Sequence, residues 1–298
     1  MVRTSLILPV FAAFLWLVGC SDGPAALTVA HPESLWSVDR LAEEPAFVID
    51  VRRPADYAAG HIPGARQIWR SDFTVEVMDL TLGTYGGMAC GPVAMAALLD
   101  SLGASPSDQI LLYDGVGGCD AARVWWLLRL YGHEQVALLD GSPATWTASG
   151  RSLSTSLPSP PLPGGFTFTG SSAPELLVTL ADVEAARASG NVVLLDTRSA
   201  AEFSGEQQKN GAARAGHIPG AVHYDWGNAV DMGGTGCLKP LKDIAYDLGA
   251  LGVGPDTPVI TYCHSGVRSA HTAFVLREIF GYTDVRNYDG SWTEYSRR

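Results

Sequence analysis

The stretch Thr261-Tyr262-Cys263-His264-Ser265-Gly266-Val267-Arg268-Ser269 decides how this chain is read. An apolar, β-type run (Pro258-Val259-Ile260) leads into it, a cysteine stands at the end of that run, and a helical pattern follows at Ala270-His271-Thr272-Ala273-Phe274-Val275-Leu276. A strand that passes through a tight loop into a helix start aims backbone N–H groups at one point. A thiolate held there is stabilised by those donors, by the helix dipole and by Arg268, so its pKa is expected well below the free value of about 8.5. Cys263 is therefore expected to be a nucleophile and its loop an anion cradle.

Outward from this loop, the chain repeats itself at a period of about 149 residues. Phe47-Val48-Ile49-Asp50-Val51-Arg52 matches Val193-Leu194-Leu195-Asp196-Thr197-Arg198, and Gly60-His61-Ile62-Pro63-Gly64-Ala65 recurs letter for letter at Gly216-His217-Ile218-Pro219-Gly220-Ala221. Gly86-Gly87-x-x-Cys90 recurs as Gly233-Gly234-x-x-Cys237, and Leu112-Tyr113-Asp114 matches Thr261-Tyr262-Cys263. Two copies of one domain follow: residues 27–150 and 173–298, joined by a Ser-, Pro- and Gly-rich linker at 151–172. The second copy carries a polar insertion, Gly205 to Ala213, expected to be a surface loop. Its strand candidates are Val192–Asp196, Ala221–Tyr224, Val259–Tyr262 and Val285–Tyr288; its helix candidates are Leu180–Ser189, Leu241–Leu251 and Ser269–Phe280. Strands interleaved with helices predict two α/β domains, each a mostly parallel sheet flanked by helices. Ligands in such sheets sit at the carboxyl ends of strands, where Cys263 stands.

The net charge of -11 excludes a nucleic-acid partner and electrostatic docking on anionic lipid. Any anionic substrate must be drawn by local cations, because the overall field repels it. Residues 1–20 read as a signal segment: Arg3, then an apolar run from Leu6 to Val18 too short to span a bilayer comfortably. It ends in Leu17-Val18-Gly19-Cys20-Ser21, which resembles the lipobox of bacterial lipoproteins. That resemblance implies a lipidated Cys20, a tether over Ser21 to Thr28, and a location in the cell envelope at the periplasmic face of the outer membrane. A plain secretory signal is the other reading. Cysteines 90, 119, 237 and 263 remain, with several pairings open. No C-x-x-C occurs and the histidines are scattered, so no metal site is expected, and no cofactor.

Asp196-x-Arg198, the Gly216 to Ala221 turn, the Cys263-to-Arg268 loop and Asn287-Tyr288-Asp289-Gly290-Ser291-Trp292-x-Glu294 resemble the rhodanese family in its tandem-domain sulfurtransferase form. Asp50-x-Arg52, Gly60 to Ala65, Tyr113-Asp114 and Ala122-Arg123-Val124-Trp125-Trp126 carry the same resemblance in the first copy. The resemblance implies that Cys263 carries a persulfide, taking sulfur from a donor such as thiosulfate and passing it to cyanide or a thiol. It also implies an inactive first copy, in agreement with Asp114 at the place of Cys263. Mercaptopyruvate-type members carry a Cys-Gly-Ser-Gly loop and an arginine just before the aromatic residue that follows Asp-x-Arg. This chain has Cys263-His264-Ser265-Gly266 and Glu202 before Phe203, which points to thiosulfate. Arg268 or Arg214 is then expected to replace that arginine.

Arg268, His264, Ser265, Gly266 and Val267 are the expected substrate-binding residues. His264 either adds positive charge at mildly acid pH or lines the entrance. Gly266 is expected to supply a backbone angle that other residues resist. Asp196–Arg198 reads as a structural ion pair; His61 and His217, kept in both copies, read as structural, and Trp292 and Asp289 as support. Cys119 falls at the position of Arg268, so the first copy lacks both nucleophile and arginine; a disulfide to Cys90 or a free thiol are equally open. Three other readings are weighed: a 3-mercaptopyruvate sulfurtransferase, a phosphatase (Cys-x4-Arg being short for ringing phosphate), and a non-catalytic lipid-anchored sulfur-binding or interaction module.

Overall fold

The computed structural model describes residues 27–298 apart from 116, 160, 161, 163 and 164; the signal segment and Cys20 lie outside the described residues. The first half forms β1 (Leu35–Trp36), β2 (Phe47–Asp50), β3 (Arg66–Gln67), a hairpin of β4 (Thr74–Asp79) and β5 (Gly83–Ala89), then β6 (Ile110–Tyr113) and β7 (Val136–Leu139). The second forms β8 (Leu177–Val178), β9 (Val193–Asp196), β10 (Val222–His223), β11 (Val259–Tyr262) and β12 (Val285–Tyr288). Each half builds one five-stranded parallel sheet, ordered β1-β7-β6-β2-β3 and β8-β12-β11-β9-β10, so the strands correspond one for one. The central strands β6 (Ile-Leu-Leu-Tyr) and β11 (Val-Ile-Thr-Tyr) are buried throughout, as helices on both faces require.

The repeated Gly-His-Ile-Pro-Gly-Ala turn has one physical cause in both halves. The Tyr113 hydroxyl accepts the Ile62 N–H (3.1 Å) and donates to Asp50 (2.6 Å), while Arg52 clasps Asp50 and the Gly60 carbonyl. Tyr262 accepts the Ile218 N–H (3.1 Å), and Arg198 clasps Asp196 and the Gly216 carbonyl in the same way. His61 stacks on Tyr57, and His217 on Phe203. This machinery holds each turn against its central strand, so both copies keep it.

One hydrophobic core runs through both halves, with satellite clusters on the outer face of each sheet. At its centre the helix Cys119–Leu130 packs on the helix Val267–Phe274, each being the helix that follows a central strand. Trp125 meets Phe274 edge to face at 5.1 Å, a contact worth about 1 kcal/mol beyond its buried area.

One helix boundary is corrected, and the packing of the linker and the state of the cysteines, both left open by the sequence, are defined. The second helix of this pair begins at Val267, not Ser269, and gives way to a wide π turn at Val275–Ile279, whose last carbonyls accept the Ala30 and His31 N–H groups. Segment 151–172 is no free linker: Phe166 is buried in the shared core, and Asp100 accepts the N–H groups of Gly165 and Phe166. Cys90, Cys119, Cys237 and Cys263 are all free thiols, so no Cys90–Cys119 disulfide exists.

Candidate active site

β11 delivers Cys263 to a loop that turns at Gly266, whose φ of +74° only glycine adopts without strain. Cys263 is buried, its side chain at the floor of a cleft of about 550 Å³ between the two halves. The Ser269 hydroxyl donates to its Sγ (3.5 Å). Burial pushes the thiol up, but Arg268, the Ser269 hydroxyl and the N–H groups of Ser269 and Ser265 outweigh it and hold Cys263 below its ordinary value. The other three described thiols go the opposite way: burial raises Cys90, Cys237 and, well above the usual range with help from Asp120 and Asp114, Cys119.

Ser291 pins the loop from below and was not singled out by sequence reading. Its hydroxyl accepts the N–H groups of Cys263 (3.1 Å) and Gly266 (3.0 Å) and donates to the Tyr288 carbonyl (2.7 Å). It is fully buried and sits at φ +49°, a left-handed conformation that a side-chain-bearing residue holds only when its surroundings fix it. The first half adds a second support. Arg123, fully buried, donates to the carbonyls of Gly266 (3.3 Å) and Gly87 (3.2 Å) and ion-pairs with Asp289. The β4–β5 hairpin closes the same side: the Ala89 N–H donates to Asp289 (2.9 Å), Tyr85 to Glu294 (2.8 Å), and Gly87 lies so close to Ser265 that a Cβ would stand 2.7 Å from the serine Cβ.

The expected binding residues divide. Ser265, Val267, His264 and Arg268 line the cleft. Gly266 does not line it; its N–H is taken by Ser291 and its carbonyl by Arg123 and Asn287. Arg268 is not a free fork. Both terminal nitrogens donate to Glu202, at 2.6 and 2.8 Å, so the guanidinium biases the thiolate electrostatically while its donors face a carboxylate. This pairing also takes the loop's own arginine away from ringing a phosphate, which argues against a Cys-x4-Arg phosphatase loop. Arg214, the other expected substitute, lies outside the cleft lining and stacks over Trp292 and Tyr295. His264 does not add charge: burial and then Lys209 pull it down to about 4, and its Nε2 donates to the Asn210 carbonyl (2.9 Å). Asn210 and Lys209 belong to the insertion at 205–213, which therefore borders the site; Lys209 lines the cleft.

In the first half the same cradle is filled by its own chain. The Asp114 carboxylate accepts N–H groups from Gly118 (3.0 Å), Asp120 (2.7 Å) and Ala121 (3.4 Å), where the second half offers amides to a sulfur. Burial and the neighbouring Asp120 push Asp114 up to about 7 despite those donors.

Glu202 makes one consequence measurable. Burial acts to raise its pKa, but Arg268 more than offsets this and holds it at about 2, below the ordinary 4.5. A depressed carboxylate contributes stability that is present above its unfolded value and is lost as pH falls towards the folded one. That contribution is roughly 3 kcal/mol. Glu202→Gln is expected to be less stable than wild type in urea unfolding at pH 7, with the gap closing between about pH 5 and pH 2. A gap of constant size across that window would contradict the pairing.

The family model described as the rhodanese-like domain matches residues 35–149 and again 179–298. The chain belongs to the rhodanese family. Among its relatives, a Saccharopolyspora erythraea protein provisionally named thiosulfate sulfurtransferase is 36% identical over 246 residues, covering 80% of this chain and 83% of the relative. The sulfur carrier protein TtuD of Thermus thermophilus is 33% identical, covering 89% of this rhodanese and 94% of TtuD. Among solved structures, SseA of Escherichia coli, described as a 3-mercaptopyruvate sulfotransferase with the rhodanese fold, superposes with a TM-score of 0.73 at 30% identity, covering 87% of this chain and 98% of SseA.

Proposed function

We propose that this rhodanese is a thiosulfate sulfurtransferase working through a Cys263 persulfide. The observation that carries the reading is the contrast among the four described thiols: Cys119 and Cys263 both line the cleft, and only Cys263 is held below its ordinary pKa, by its loop amides, Ser269 and Arg268. The Cys263 thiolate attacks the outer sulfur of thiosulfate; the S–S bond of the donor breaks and sulfite leaves with the electron pair. Cys263–S–S⁻ then stands among the amides that held the thiolate. Cyanide, or a thiolate, attacks the terminal sulfur, and Cys263 leaves as thiolate with thiocyanate or a new persulfide as product. Charge and atoms balance in both half-reactions, no cofactor is needed, and ping-pong kinetics follow.

The donor preference rests on Glu202, which stands where mercaptopyruvate-type sequences carry an arginine and which itself occupies Arg268. Similarity to the Escherichia coli structure favours 3-mercaptopyruvate as the second reading. Comparing kcat/KM for the two donors on purified protein decides between them: thiosulfate is expected to be the better substrate, and a preference of tenfold or more for 3-mercaptopyruvate would reverse the assignment. The lipobox-like sequence supports a further proposal, that Cys20 is lipidated and holds the protein in the cell envelope; Cys20→Ala should then move it from the membrane to the soluble fraction.

A further inference from the structure

The cleft needs a cation for its anionic donor, and the arginine of the nucleophile's own loop is already engaged. Arg268 faces Glu202 with both terminal nitrogens, and Arg198 faces Asp196. On the opposite wall Arg52 is held by Asp50 and the Gly60 carbonyl. Arg70 is different. It comes from the first half, lines the cleft and bonds Asp120 through Nε alone (2.6 Å). Neither of its terminal nitrogens has a protein hydrogen-bond partner among the described residues, and its side chain is 43% exposed. Its charge reaches the nucleophile: burial lowers the Arg70 pKa, but Asp120 and then the Cys119 and Cys263 sulfurs raise it further. Lys209, from the insertion, lines the same cleft with no ion pair among the described residues, and its charge is felt by both His264 and Glu202. The other acidic groups at this wall include Asp120, committed to Arg70, and Asp114, turned onto backbone amides.

We propose that the anionic end of the sulfur donor is held between Arg70 of the non-catalytic domain and Lys209 of the insertion, so that the substrate site is divided between the two halves of the chain. This rests on the reading of Cys263 as the acceptor of sulfur from an anionic donor, and it names the groups that select the anion. The planar Arg70 fork, fixed at Nε by Asp120, presents two parallel N–H groups suited to a sulfonate or carboxylate. A chain with net charge -11 would otherwise repel such a ligand.

Alkylation of Cys263 by iodoacetate and by iodoacetamide, followed by mass spectrometry, tests this without requiring turnover. Any effect of Arg70 on the thiolate population changes both rates equally, so the ratio of anionic to neutral reagent reports the anion site alone. Arg70→Met and Lys209→Met are each expected to lower that ratio about fivefold, the size of one partly solvated charge pair, and to lower kcat/KM for thiosulfate in parallel. Arg70→Lys, which keeps the charge, should retain most of the ratio and guards against a folding defect in Arg70→Met. Unchanged ratios in both methionine variants would overturn the proposal even if thiosulfate loads Cys263 normally. Failure of thiosulfate to load the wild-type protein would instead strike the sulfurtransferase reading, leaving the alkylation ratio to judge the anion site.

Discussion

Cys263→Ser abolishes sulfur loading. After incubation with thiosulfate, the intact wild-type protein is expected to gain one sulfur atom at Cys263 and lose it on addition of cyanide, while the serine variant gains none and loses turnover by at least about 10³-fold. The expectation follows from the chemistry of the cradle. A thiol held below its ordinary pKa by Arg268, Ser269 and two amides ionises more readily than a free one, whereas a serine hydroxyl there stays protonated and cannot form an S–S bond. Cys119→Ser is expected to load normally, because that thiol is pushed well above the usual range by burial and by two aspartates. Sulfur on Cys119 in the wild type, or loading that survives in Cys263→Ser, would remove the nucleophile from its assigned place. A Cys263 that never accepts sulfur would favour the non-catalytic interaction module.

What the sequence made legible was local or periodic. The β11 and β12 strands and the helix Leu180–Ser189 fall where the residue pattern puts them, because a buried parallel strand is a short apolar run and a helix is punctuated by its caps, Thr179 and Gly190. The repeat revealed two domains because each turn is held by its own Tyr, Asp and Arg. The features that escaped are all long-range. Glu202 meets Arg268 across 66 residues, and nothing in either neighbourhood announces the pair. The β4–β5 hairpin is rich in glycine and lacks a strong strand pattern; it braces Ser265 only once the two halves have met. His264 sits in a loop that looks open, yet the insertion closes over it through Asn210 and keeps it neutral. The helix start moved to Val267 because Gly266 makes the left-handed turn itself, bringing Arg268 into the first helical turn and within reach of Glu202.

The other large effect is expected at Arg123, a residue of the first half, which does not carry Cys263. Its guanidinium has no exposure to solvent and serves three acceptors at once: Asp289, the Gly87 carbonyl of the hairpin and the Gly266 carbonyl of the catalytic loop. Arg123→Met leaves the largely buried Asp289 without its cation and the Gly87 carbonyl without its donor, a loss of about 3–5 kcal/mol, which for a chain of this size lowers Tm by roughly 6–20 °C. Stability alone would not distinguish a supporting strut from a group that shapes the loop. Two further measurements do. At a temperature where the variant remains folded, alkylation of Cys263 against pH should report a raised thiol pKa, because a displaced Gly266 carries the Ser265 and Ser269 amides away from the sulfur. Arg123→Lys should recover charge and some stability but little of the thiol shift, since an ammonium cannot span three acceptors in a plane. The double variant Arg123→Met/Asp289→Asn is expected to be less destabilised than the sum of its parts, because the second change removes the stranded charge. A folded Arg123→Met protein with wild-type turnover and an unshifted alkylation profile would show that Arg123 is only a structural strut; the expected result makes it part of the apparatus that holds the Cys263 pKa down.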